Sequence, residues 1–144
     1  MKKFIILLCL FMFAAKSYGL TLDRVFVFGE DIKSCGLSKE PITASLAGVM
    51  RYNRISMDTY ADVNVYHQVT AVDLGSSCAA SVNLQFYVYE TKIFVPSIKK
   101  SLSANVVLCN LSMLLTGPKH DMQSRLNENA KSLAEQCLVK IDKK

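Results

Sequence analysis

The chain has 144 residues, 51% of them hydrophobic, and its formal net charge is +5. This length favours one folded domain with a substantial core. Three of the seventeen basic residues fall within the first sixteen positions, and the rest of the chain has fourteen basic and twelve acidic residues. The basic pairs Lys99 with Lys100 and Lys143 with Lys144 are typical of a solvated turn and tail. The sequence therefore predicts no nucleic-acid binding, which requires basic side chains gathered on one face.

Residues 1–19 have the pattern of a cleaved secretory signal peptide. Lys2 and Lys3 precede twelve uninterrupted apolar residues at 4–15, and the small residues Ser17 and Gly19 follow at the −3 and −1 positions of a cleavage site. A membrane anchor is the alternative, but a spanning helix needs about 20 apolar residues. We expect cleavage after Gly19 and a mature domain of residues 20–144 without a transmembrane segment.

The first predicted elements are a strand and a helix. Residues 23–28 (DRVFVF) are rich in β-branched and aromatic side chains, which favour a strand. Ser38 is a good helix N-cap, and Pro41 lies in the first turn, where proline is tolerated. The helix should end at residues 52–54. Its apolar stripe consists of Ile42, Leu46, Val49 and Met50.

Two strands of opposite parity form a predicted hairpin. Apolar residues occupy odd positions over residues 59–72 and even positions from Cys78 onward, with a turn at residues 73–77. Pairing about this turn places Val65 opposite Leu84 and Tyr66 opposite Asn83. Inner residues then oppose inner residues, and a one-residue slip would lose this agreement.

A third strand and a second helix complete the pattern. Residues 102–115 change phase, and Leu102, Ala104 and Val106 point inward in the early half. In the later half Asn110 and Ser112 are polar and point outward, and the inward residues are Val107, Cys109, Leu111 and Met113. A β-bulge near residues 106–107 would reconcile the two halves, and a central strand covered on both faces is the alternative. The last helix has a single apolar stripe formed by Met122, Leu126, Ala130, Leu133 and Cys137.

The element order is therefore β-α-β-β-β-α. It predicts an α+β two-layer domain, with an antiparallel sheet and both helices packed on one face. The four mature cysteines, Cys35, Cys78, Cys109 and Cys137, predict two disulfides, because an even number is expected in an exported chain. We favour the pairs Cys35–Cys78 and Cys109–Cys137. A zinc site is disfavoured because no two of these cysteines are closer than 28 residues.

The outer face of the hairpin is the candidate binding surface. It should display tyrosine and amide side chains on the side of the sheet opposite the helices, and tyrosine is enriched at interfaces. We expect a protein or glycan partner there, although an ordinary solvated sheet face would show the same pattern. The predicted residues are Tyr60, Asp62, Asn64, Tyr66, Gln68, Asn83, Gln85, Tyr87 and Tyr89.

No catalytic, metal-binding or cofactor signature is found in the sequence. The favoured function is thus a non-enzymatic binding or accessory module, periplasmic or extracellular, in a bacterium. A small-ligand or lipid carrier is the alternative, and its cavity would lie among Val63, Val65, Leu84, Phe86 and Met122. A small enzyme or toxin is less favoured and would need a cleft that joins His67 or His120 to Asp58 or Asp62.

Overall fold

A computed structural model of the protein describes residues 20–21, 25–28, 32–55 and 63–142. The predicted signal peptide, residues 1–19, lies outside the described residues. So do Asp58, Tyr60 and Asp62 of the sequence-based predictions.

The described chain folds as two layers, a sheet and two helices. Helix α1 is Lys39–Tyr52 and helix α2 is Lys119–Asp142. The three long strands are β3 (Val63–Asp73), β4 (Ser77–Val95) and β5 (Lys100–Pro118), and they pair in chain order as an antiparallel meander. The predicted α+β class, with both helices on the sheet, is confirmed.

Two short strands add a parallel edge to this meander. Strands β1 (Leu20–Thr21) and β2 (Val25–Phe28) both pair with β3 in parallel. Helix α1 connects β2 to β3, and such a crossover is what parallel neighbours require. The sequence indicated the β2 strand, but the predicted antiparallel sheet does not hold for this edge, since alternation of side chains is the same in both pairings.

Helix α1 begins and ends where the sequence predicts. Ser38 is the N-cap residue, but its side chain makes no capping hydrogen bond. Its backbone N–H instead donates to Oε1 of Gln123 at 2.6 Å, which joins the start of α1 to α2. All four stripe residues of α1 are buried against the core.

The core lies between the helices and the inner face of the sheet. Both helical stripes and the alternate residues of β3 and β4 belong to one cluster of buried side chains. The stripe of α2 is buried throughout, as predicted. Packing of these apolar stripes is the main favourable contribution to folding, at about 25 cal/mol per Å² of apolar surface removed from water.

The β3–β4 hairpin is confirmed, but its register differs by two positions from the prediction. Val65 pairs with Phe86 rather than Leu84, and Tyr66 pairs with Gln85 rather than Asn83. The turn has Gly75 and Ser76 as its central residues, and Gly75 has a φ of +87°. Glycine adopts a positive φ without the steric cost that a Cβ atom would impose, so it suits this position. Because the shift is even, every side chain keeps its predicted face.

The β4–β5 ladder contains two bulges. Leu108 is an extra residue of β5 between the pairs of Cys109 and Val107, close to the predicted site at 106–107. A second bulge, which was not predicted, places Tyr89 and Glu90 of β4 opposite Asn105. Glu90 has a φ of +47°, and its N–H donates to Oδ1 of Asn105 at 3.3 Å.

Helix α2 is shorter than the strand on which it packs. Its 24 residues span about 36 Å, whereas the 19 residues of β5 span about 60 Å. The helix runs back along β5 from Pro118, and the disulfide Cys109–Cys137 joins the two elements far from that turn. The far end of the β4–β5 hairpin therefore extends beyond the helix. Leu102 and Ala104, predicted to point into the core, are exposed for this reason.

Both predicted disulfides are confirmed. Cys35 pairs with Cys78 and Cys109 with Cys137, with Cα–Cα distances of 5.9 and 5.5 Å. An ion pair lies near the first of these: Lys119 Nζ is 2.7 Å from Oδ2 of Asp73. The hydrogen bond from Lys119, with one from the Gly75 N–H, lowers the pKa of Asp73. These links hold the start of α2 at the β3–β4 turn.

Candidate functional site

The outer face of the sheet is the side of β3, β4 and β5 opposite the helices. Strand alternation places even-numbered residues of β3 and odd-numbered residues of β4 on this side. Both helices pack on the inner side, so within the described part of the chain no helix covers the outer face. Its described polar residues include Asn64, Tyr66, Gln68, Thr70, Ser81, Asn83, Gln85, Tyr87, Tyr89, Asn110, Ser112 and Thr116.

These side chains form rows that cross all three strands. One row runs from Tyr66 to Gln85 to Asn110, since these residues are paired in the two ladders. The next row runs from Gln68 to Asn83 to Ser112. The register thus brings the predicted residues of β3 and β4 together and extends the surface onto β5.

A hydrogen-bonded group lies in the middle of this surface. Nδ2 of Asn83 donates to Oδ1 of Asn110 at 3.1 Å and to Oγ of Ser112 at 2.8 Å. Its Oδ1 is buried and accepts no hydrogen bond from the described residues. Such bonds hold the side chains in defined orientations, which lowers the entropy lost when a partner binds.

Two tyrosines of β4 lie beside the row of Tyr66, on the side toward the far end of the β4–β5 hairpin. The rings of Tyr87 and Tyr89 are 5.9 Å apart, with an interplanar angle of 48°. Tyr87 is half-buried, whereas Tyr89 is 57% exposed. Tyr60 and Asp62, predicted to extend this surface, lie outside the described residues.

Sequence reasoning did not include the β5 residues in this surface. Asn110 and Ser112 were recognised as outward-pointing but were not assigned to the binding face. Polar residues alternate along β5 in the sequence, but only the order of the strands shows that Asn110 and Ser112 lie beside Asn83. The exposed apolar residues Val107 and Leu114 lie on the same side, paired with Tyr87 and Ser81. The predicted inward orientation of Val107 is wrong, because the bulge at Leu108 separates Val107 from the phase of Cys109.

The two histidines occupy unlike environments. His67 is fully buried on the inner face, and neither ring nitrogen has a hydrogen-bond partner in the described structure. Burial lowers the pKa of His67 to about 4, so the imidazole is neutral at pH 7. The His120 side chain is 79% exposed, and its Nε2 lies 3.4 Å from Oδ1 of Asp121. Asp58 and Asp62, which either histidine was predicted to join in the cleft of a small enzyme, lie outside the described residues. Among the described residues, no group of three His, Cys, Asp or Glu side chains is arranged to hold a metal ion.

The residues predicted to line a carrier cavity belong to the core. Val63, Val65, Leu84, Phe86 and Met122 are all at most 9% exposed. A depression of about 420 Å³ lies elsewhere, in the open groove between α1 and α2. It is lined by Ala44, Ser45, Gly48, Val49, Tyr52, Lys131 and Glu135.

Comparisons with known proteins add little to this description. The chain matches no protein-family model, and no curated protein matches it at a significant level. It is similar to the crystal structure of the rare lipoprotein B from Shewanella oneidensis, over 87% of this chain and 94% of that one. The sequence identity is 12% and the TM-score is 0.38, so no residue role or function of that protein is assigned to this chain. Within the described residues, no helix is both long and apolar enough to cross a bilayer.

Proposed function

We propose that this protein is an exported, non-enzymatic binding or accessory module that engages a protein or glycan partner through the outer face of its sheet. The observation that carries the proposal is the pair of rows from Tyr66 and Gln68 across β4 to Asn110 and Ser112. They form a regular surface of side chains that both donate and accept hydrogen bonds.

The chemistry of this surface suits recognition. Tyrosine combines a large apolar ring with a polar hydroxyl, and it is over-represented where proteins meet their partners. The described polar residues of the rows carry no charge, so binding does not require the costly desolvation of ions. A ring such as that of Tyr89 packs equally well on an apolar side chain or on the C–H face of a sugar.

Export is the second part of the proposal. Two disulfides are typical of proteins that fold outside the reducing cytosol. The n-region, apolar segment and small residues of positions 1–19 support the same conclusion. We place the protein in the periplasm or outside a bacterial cell, as one domain of residues 20–144.

The absence of an assembled catalytic group in the described residues supports a binding role. The four cysteines are paired and therefore lack a free thiolate to act as nucleophile. His67 lies in the core without a carboxylate partner among the described residues, so it is not placed to transfer a proton to a bound substrate.

The test is a comparison of two tyrosine variants. Tyr66→Ser combined with Tyr87→Ser removes two rings from the outer face. Tyr52→Ser removes an 85% exposed ring from α1 and is the matched control. Both proteins and the parent are immobilised and exposed to native envelope extract and to a glycan array. We expect the outer-face variant to lose at least tenfold in affinity for the partner bound by the parent and by Tyr52→Ser.

Folding is checked by circular dichroism and thermal unfolding of all three proteins. Retention of every partner by a folded outer-face variant would show that this surface is not the binding site. A specific glycan on the array identifies the partner as a carbohydrate, and a single enriched polypeptide identifies it as a protein.

A further inference from the structure

The far end of the β4–β5 hairpin, residues 89–105, is here called the hairpin tip. The ladder between β3 and β4 ends at the pair Val63–Val88, so beyond Val88 the described sheet has two strands. Seven further residues of β4 extend the hairpin by about 20 Å. Alternation of buried and exposed residues stops here, and residues 100–105 of β5 are all exposed. No described element packs on either side of the tip.

The tip nevertheless carries large apolar side chains. Ile93 and Leu102 are cross-strand partners, so they share one side of the hairpin. Phe94 is the next residue along β4 and so lies on the opposite side, and Ile98 lies in the 3-10 turn Pro96–Ile98 at the extremity. The exposed fractions are 42% for Ile93, 61% for Phe94, 50% for Ile98 and 48% for Leu102. Exposed apolar side chains thus occupy both sides of the tip and its extremity, and a concentration of such residues marks a surface that binds a partner or a membrane.

The charge of the tip is mostly positive. Lys92, Lys99 and Lys100 are exposed and lie beside the apolar residues, whereas Glu90 is the single acidic residue of the segment 89–105. Lys99 and Lys100 directly follow Ile98, so ammonium groups and apolar side chains are concentrated at the same extremity. Long lysine stems can lie along apolar surface while the charged group reaches the polar layer above it.

We propose that the hairpin tip binds the surface of an anionic phospholipid bilayer. The apolar side chains would enter the boundary between headgroups and acyl chains, and the lysines would contact lipid phosphates. A protein partner would need a concave site that fits this convex two-stranded tip, whereas a bilayer accommodates it without such a site. The positive charge matches an anionic lipid surface, and the proposal does not depend on the binding role of the outer face.

Vesicle flotation tests the proposal with the oxidised protein. One set of vesicles is phosphatidylcholine, and the other contains roughly one-third phosphatidylglycerol, which makes the surface negative. We expect binding to the anionic vesicles alone, and this binding should weaken as salt screens the surface charge. The outer-face variant Tyr66→Ser with Tyr87→Ser should bind vesicles normally, which separates this proposal from the proposed function.

Variants of the tip have matched controls on α2. Lys99→Gln with Lys100→Gln should weaken vesicle binding roughly thirtyfold, since each lysine near an anionic surface contributes about fivefold. Phe94→Ser with Ile98→Ser should abolish flotation. Lys131→Gln with Lys140→Gln, and separately Val139→Ser, change exposed residues of α2 and should have little effect.

Two results would overturn the proposal. One is that the parent protein fails to float with anionic vesicles, and the other is that tip and control variants lose binding equally. Sedimentation of the parent and the Phe94→Ser, Ile98→Ser variant tests a further alternative. A dimer that dissociates in the variant, without vesicle binding by the parent, would make the tip an interface between copies of this chain.

Discussion

His67 is an exception among the residues of the core. It occupies the position between Val65 and Val69 on the inner side of β3, where its neighbours in the alternation are apolar. Its nitrogens lack partners in the described structure, and a buried polar group without a hydrogen bond costs about 1–3 kcal/mol. The sequence predicted the inward orientation, because His67 follows the odd-numbered phase of its strand.

This burial makes stability depend on pH. The pKa of His67 falls from 6.5 to about 4 in the folded protein. The unfolded chain therefore binds a proton at a higher pH than the folded chain does, and the free energy of unfolding falls as the pH decreases through this interval. Between pH 7 and about pH 5 we expect a loss of about 2 kcal/mol, measured by urea unfolding.

Two variants isolate the contribution of His67. His67→Leu cannot be protonated, so its free energy of unfolding should change little between these two pH values. His120→Gln alters a histidine that is 79% exposed and should keep the parent's pH dependence. An unchanged pH dependence in His67→Leu would contradict the assignment of this effect to the buried imidazole.

The outer face of the sheet shows which features of the fold can be predicted from single residues and which cannot. Period-two alternation placed Tyr66, Gln68, Asn83 and Gln85 on one side, and the structure does so. The pairing of Asn83 with Asn110 and Ser112 required knowledge of how β4 and β5 align. Bulges alter that alignment, and their positions depend on backbone conformation such as the positive φ of Glu90.

At the scale of elements, the helices were predicted closely because their apolar stripes repeat at helical spacing. The stripes of α1 and α2 are buried residue for residue. The hairpin register was less accurate. Several polar residues between Asp73 and Ser77 are suited to turns, and only the backbone shows that Gly75 and Ser76 are the central pair. A two-residue error leaves every side chain on its proper face, which is why the fold class was still predicted.

The exposed end of the hairpin follows from element lengths rather than side-chain pattern. Leu102 and Ala104 follow an alternation like that of a half-buried strand, but α2 is too short to cover them. Cys137 lies about 27 Å along α2 from Lys119, where the helix begins. Cys109 lies about 30 Å along β5 from Pro118, where the strand ends, so the two cysteines are at similar distances from the turn. The disulfide thus joins α2 to β5 near the limit of the helix-covered region.

Removing this disulfide should destabilise the pairing of helix and sheet. Cys109→Ala with Cys137→Ala opens a loop of 28 residues, so we expect the free energy of unfolding to fall by about 3–4 kcal/mol. Hydrogen exchange should increase most in the last turns of α2, because these lose their link to β5. Equal stability of the double variant and the parent in urea would contradict a structural role for the bond.

At the scale of the whole molecule, the chain is a disulfide-bonded α+β fold, and both proposed activities depend on its surfaces. The helices cover one side of the sheet. One disulfide joins the segment before α1 to β4, and the other joins α2 to β5. The described helices leave the outer face and the hairpin tip uncovered, and these are the two surfaces for which binding is proposed. The two surfaces adjoin at Tyr89, and the tip extends from there beyond the last β3–β4 pair.

Intact mass of the protein recovered from its natural location tests the account most directly, with thiols alkylated before and after reduction. We predict a chain that begins at Leu20, has no free thiol before reduction, and gains four alkyl groups after it. A chain that retains residues 1–19, or cysteines that are alkylated without reductant, would contradict export and the disulfide-bonded structure on which both binding proposals depend.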